Sequence, residues 1–105
     1  MGENRYGPAR RLRRLPRARV LRMEVPVARG WRTRLIGLGF LERERAGPGL
    51  LIPRCRSVHT FGMRFPLRVI FLDAQGVIIS IRERVRPRRL VWERGAAAVL
   101  ELPAA

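Results

Sequence analysis

The sequence predicts a mainly β domain, a compact β-sandwich or small barrel with one short helix near residues 29–38. Three observations carry that expectation. About seven short apolar runs of strand length follow one another along the chain, only one segment has helical spacing, and nothing alternates strand with helix as βαβ units do. The 105 residues suffice for one core and not for two, and 47% of them are apolar.

The elements follow in order. Residues 1–19 show neither period and are dense in Arg, Pro and Gly, which predicts a basic, disordered arm ahead of a single domain over 20–105. Met23 stands just before the first well-patterned segment, and translation from there would delete the arm. Val20 to Val27 is expected to form a strand that ends near Pro26, which has no N–H to give to a ladder. In Arg29–Leu38 the residues Trp31, Leu35 and Leu38 fall at i, i+4, i+7 and make one apolar helix face. Gly37 and Gly39 end that helix, and 42–49 is a charged turn region. Leu50–Ile52 is a short buried strand stopped by Pro53. If residues 55–65 are extended, Cys55, Ser57, His59, Phe61, Met63 and Phe65 share one face. The clearest local signal is a hairpin. Two β-branched runs, Leu67–Leu72 and Val77–Glu83, flank the turn Asp73-Ala-Gln-Gly76. Leu90–Trp92 and Ala98–Leu102 complete the strands.

Charge is the unusual part of the composition. All 23 Lys+Arg residues are Arg, against 8 Asp+Glu, for a net +15. Residues 1–22 contribute eight of those Arg against Glu3 alone. Such a balance predicts salt-sensitive association with polyanions. The one cysteine, Cys55, excludes an internal disulfide. No run approaches the ~18 apolar residues of a membrane span, and no apolar stretch follows the basic N-terminus, so the expected compartment is the cytoplasm.

Four ordered segments resemble a known family. They are Arg34-Leu-Ile-Gly37-Leu38, His59-Thr-Phe-Gly-Met-Arg-Phe-Pro66-Leu67, Val69-Ile-Phe-Leu-Asp73 and Val99-Leu-Glu-Leu-Pro-Ala104. Together, over about residues 20–104, they resemble the bacterial and archaeal family called domain of unknown function 192. The resemblance implies a jelly-roll-like β fold with one short helix. It implies no known activity. Members often carry a secretion signal, and some are similar to proteins encoded beside pilus or secretion machinery. One position departs from the pattern: Arg68 stands where the family usually has Asp.

Candidate chemistry is sparse. Arg34 lies about 60° from Trp31 around the helix and suits either an ion pair with Asp73 or Glu101, or anion recognition in a pocket. His59 is the only histidine, a possible base or ligand. Cys55, His59 and Met63 would suit Cu(I) by type, but strand residues four apart stand ~13 Å from each other, so no metal or other cofactor is expected. The same spacing separates Cys55 from His59 as nucleophile and base. Asp73 is the only Asp, Gly47-Pro-Gly49 lacks a following Lys, and no catalytic residue is expected. The binding residues expected are Arg34, Arg56, His59, Thr60, Met63 and Arg64. Three functions remain open: a non-enzymatic interaction or accessory module with a protein partner, a nucleic-acid-binding protein using its Arg surface, or a small-ligand or catalytic pocket around Arg34 and His59. For the second, Tyr6, Phe61, Phe65 or Trp92 could stack on bases, although no signature of the common RNA-binding modules is present.

Overall fold

The computed structural model describes residues 7–105. Its centre is a four-stranded antiparallel sheet in the order β3-β8-β5-β6, formed by β3 (Leu50–Pro53), β5 (Leu67–Leu72), β6 (Ile78–Val85) and β8 (Ala98–Pro103). β5 and β8 lie inside the sheet and read as nearly continuous apolar runs, because both of their faces are covered. The β5–β6 hairpin matches its sequence signal. Asp73 Oδ1 accepts the N–H groups of Gln75 and Val77 at 2.8 and 2.9 Å, and Gly76 takes φ +81°.

Two smaller ladders complete the sandwich. β1 (Arg17–Val20) and β2 (Met23–Pro26) form a hairpin, and β4 (Ser57–His59) pairs antiparallel with the distant β7 (Leu90–Trp92). Strand alternation assigns each to a face of the central sheet. On one face Leu50, Ile52, Leu67, Val69, Phe71 and Val99 pack with Val58 of β4 and with Met63 and Phe65. On the other, Ile70, Leu72 and Leu100 pack with Val25, Met23 and Val20 of the β1–β2 hairpin. The arrangement is sandwich-like, and the four-stranded sheet does not close into a barrel.

Several expectations need correction. The arm expected over 1–19 is folded from residue 8 onward, while residues 1–6 lie outside the described part. Arg10–Arg13 is a helical turn, α1, whose Leu12 is 1% exposed in the main core. Arg11 donates to the carbonyls of Gly37 and Gly39 at 3.0 and 2.8 Å, and burial lowers its pKa from the ordinary value. A single buried Leu and one guanidinium fork thus outweigh the local lack of pattern. The strand expected over Val20–Val27 is two strands, because Leu21 and Arg22 both take positive φ (50° and 65°) in a tight turn. The helix, α2, spans Gly30–Ile36 and buries no residue. Gly37, at φ +57°, breaks the 100° progression, so Leu38 turns into the core while Trp31 and Leu35 stay on the surface, 70% and 56% exposed.

The extended segment expected over 55–65 also ends early. After His59 the chain turns at Phe61-Gly62, with Gly62 at φ +85° and the Met63 N–H bonded to Thr60 O. The turn resets the alternation, leaving Phe61 outside and Met63 and Phe65 inside. Arg68 pairs with Glu83 on the neighbouring strand at 3.2 Å.

Integration of the N-terminal segment is directly measurable. Leu12→Ala is expected to lower unfolding stability by about 2–4 kcal/mol in chemical denaturation. A chain starting at Met23 should lose far more, because β1, α1 and the Arg11 clamp go together. Equal stability of residues 23–105 and the full chain would show that the segment packs without contributing.

Candidate functional site

The site begins with a carboxyl in the wrong place for an acid. Glu101 is in phase with Val99 on β8, so its side chain enters the core-facing side of the sheet, between Leu50 and Val69 in the ladder register. It is 3% exposed. The end of α2 lies over it. A Cβ built on Gly37 would stand 2.6 Å from Glu101 Oε1, so only glycine permits this approach, and φ +57° with ψ −128° is backbone that glycine tolerates best. The Leu38 N–H donates to the carboxyl, whereas Oε1 has no hydrogen-bond partner. Burial pushes the Glu101 pKa up from 4.5 to about 7, against the opposing pull of the Leu38 bond.

Arg34 fixes the roof. Its guanidinium donates to the carbonyls of Pro53 and Arg54 at the end of β3, the second at 3.0 Å. The carbonyl fork replaces the ion pair expected with Asp73 or Glu101: Asp73 holds the hairpin turn, and no Arg34–carboxylate pair occurs among the described residues. Two of five guanidinium N–H groups are used, which leaves donors facing outward.

β4 and β7 supply the opposite wall. Ser57 pairs with Trp92 and His59 with Leu90 in register, so these four side chains share the outer face while Val58 turns inward. His59 Nδ1 accepts the Phe61 N–H at 3.2 Å. In the neutral ring the proton therefore sits on Nε2, making His59 a donor rather than a base on that side. Between the walls is a cleft of about 210 Å³ lined by Arg34, Leu35, Ser57, Val58, His59, Leu90 and Glu101. It offers an acid at its base, Arg and imidazole donors at its sides, and an aliphatic rim from Leu35 and Leu90.

Of the six expected binding residues, the structure brings Arg34 and His59 into this cleft. Arg56 lines an adjoining hollow with Ser57, Trp92 and Arg94. Arg64 is exposed and pairs with Glu42. Thr60 and Met63 are buried. Thr60 Oγ1 donates to Arg86 O at 2.7 Å and accepts the Arg89 N–H at 2.8 Å, which pins the loop leading to Leu90. Cys55 Sγ donates to Ser57 O and Cys55 packs against the main core that holds Met63, whereas His59 faces the cleft. The sequence reading named Glu101 only as a partner for Arg34. The available signal was its phase with Val99, an acid on an inward strand position.

The family model DUF192 (Uncharacterized ACR, COG1430) matches residues 14–105. A crystal structure of a protein of unknown function from Novosphingobium aromaticivorans DSM 12444 is similar in fold, with a TM-score of 0.62 and 22% identity over 76% of this chain. The match spans 62% of that protein's length. A candidate transcription regulator from Sinorhizobium meliloti 1021 is similar with a TM-score of 0.68 and 27% identity, over 78% of this chain and 69% of that one. No protein of curated function matches. Among the described residues, no helix is long and apolar enough to cross a membrane.

The raised Glu101 pKa has a defined consequence for stability. The folded chain holds this proton more tightly than the unfolded chain does. The contribution is therefore fully present below pH 4.5 and is lost as pH rises through about 7. The difference amounts to about 3 kcal/mol at most. Glu101→Gln should flatten this pH dependence and melt above wild type at about pH 8, with little difference at about pH 4. Parallel melting curves of the two chains across that range check it.

Proposed function

Because the chain belongs to the DUF192 family, for which no activity is described, we propose from its own geometry that it is a non-enzymatic binding module of the cytoplasm. Its recognition site is the cleft between α2 and the β4–β7 ladder. The observation that carries this reading is the buried Glu101 carboxyl, which sits at the base of the cleft with Oε1 unpartnered. Buried polar atoms without partners are rare, and groups held in this costly way concentrate at functional sites. An aliphatic rim around a few converging polar groups is the usual composition of a binding pocket.

Binding is favoured over catalysis by the state of the polar groups. His59 is held as an Nε2 donor by the Phe61 bond, Cys55 is turned away to Ser57 O, and Arg34 spends part of its fork on structural carbonyls. Among the described residues, no nucleophile is held by a base that a third group orients, as covalent catalysis requires.

The test is amide-resolved NMR of the full chain during titration with a mixture of small amides, amines and carboxylic acids. Shifts are expected to converge on Arg34, Leu35, Ser57, His59, Leu90 and Glu101, and to disappear in Glu101→Leu. Shifts scattered over the Arg-rich surface, or none at millimolar ligand, would sink the assignment.

A further inference from the structure

The Glu101 cleft is the smallest of three depressions that share one ridge. Leu90 and Trp92, both on the outer face of β7, are 59% and 63% exposed. Ser57 lines both the cleft and a second hollow of about 550 Å³ with Arg56, Trp92, Arg94 and Glu93, whose carboxylate is paired with Arg82. Leu90 lines both the cleft and a third, of about 370 Å³, with Arg82 and Trp92. Across the cleft, Leu35 continues the apolar surface onto α2, and Trp31 lies one turn along the same helix face. Shared lining residues thus extend the exposed surface well beyond the cleft itself.

Its charge selects the occupant. Arg56 and Arg94 are exposed and make no ion pair among the described residues, in a chain of net +15. Arg82, by contrast, is engaged with Trp92 O and Glu93. We infer that this face binds an acidic polypeptide segment of a partner protein, with large apolar side chains on Leu35, Leu90 and Trp92 and carboxylates on Arg56 and Arg94. The inference rests on the proposed binding site and adds the chemistry of the partner. Aromatic anchors with flanking Arg are the residue types that carry most binding energy in protein interfaces. Nucleic acid fits the same face less well. Two of its three exposed anchors, Leu35 and Leu90, are aliphatic and give no stacking platform for bases.

The experiment selects short random peptides on the immobilised full chain, with a Leu90→Ser/Trp92→Ser chain as counter-selection. A single-stranded RNA is titrated in parallel by fluorescence anisotropy. Both substituted positions are exposed, and circular dichroism verifies the fold of the variant. The expected result is enrichment of peptides combining Asp or Glu with Leu, Phe or Trp. Their affinity should fall about tenfold or more in Leu90→Ser/Trp92→Ser and in Arg56→Ser/Arg94→Ser. No enrichment over counter-selection, or enrichment of basic or uncharged peptides, overturns the inference. So does RNA binding that is lost in the Leu90/Trp92 variant. If small molecules occupy the Glu101 cleft while no acidic peptide is enriched, the partner chemistry fails and the binding site stands.

Discussion

The meeting of the Glu101 carboxyl with the end of α2 sets the arrangement of everything around the cleft. β8 delivers the acid to the core-facing side of the sheet, Gly37 makes room for it, and the Leu38 N–H holds one side of it. The Leu38 side chain can then enter the core, which fixes where α2 stops. Arg34, one turn earlier on α2, reaches the last carbonyls of β3, the strand paired with β8 at Glu101. Helix, edge strand and central strand are therefore registered through one buried acid. A leucine at 101 would give better packing energy, since burying an incompletely paired carboxyl is costly. Groups that cost stability in this way concentrate where a chain binds or reacts, and this one lies under the cleft.

The excess of arginine follows a related logic. With 23 basic residues and 8 acidic ones, most guanidinium groups cannot find a carboxylate. The structure uses several on backbone carbonyls instead. Arg11 takes Gly37 and Gly39, Arg34 takes Pro53 and Arg54, Arg82 takes Trp92, and Arg84 takes Ala105. Each of these closes a loop or strand end whose carbonyl would otherwise face solvent unpaired by the fold. Bonds to charged donors are worth more than neutral ones, so a short chain with few acids still gains from its cations. Arg11 holds the residues that end α2, and Arg34 ties α2 itself to the end of β3.

The sequence disclosed those parts of the fold in which local chemistry and tertiary placement agree. The β5–β6 hairpin was legible because Asp73 and Gly76 are the residues its turn requires. β3, β7 and β8 were legible as apolar runs between breakers. The β1–β2 turn was not, since Leu21 and Arg22 occupy left-handed backbone that normally calls for Gly or Asn. The apolar stripe of α2 misled because its third member, Leu38, belongs to the segment after the break at Gly37. Leu12 was hidden because one apolar residue among Arg gives no period. At the site, Arg34 and His59 stood out by type, but Thr60 and Met63 were chosen from a motif whose turn at Gly62 sends them inward. Glu101 was underrated because an acid within a strand ordinarily faces water.

Two of the exposed apolar surfaces, on β6 and on β7, differ in how they are guarded. On β6, Ile78, Ile79 and Ile81 are exposed along the sheet edge, but Arg82, Glu83 and Arg84 follow at once and register shifts interrupt the β5–β6 ladder. Charge and irregularity of this kind oppose pairing with another strand. The Leu90–Trp92 ridge has neither device on its own strand. Its Arg neighbours flank it, so they repel other basic chains while attracting acidic ones from a distance. In the proposed reading, long-range attraction governs encounter, and the ridge and cleft govern which encounter persists. A chain of net +15 attracts polyanions in general, and in that reading discrimination among them falls to the few uncharged or acidic groups on this face, Leu35, Leu90, Trp92 and Glu101.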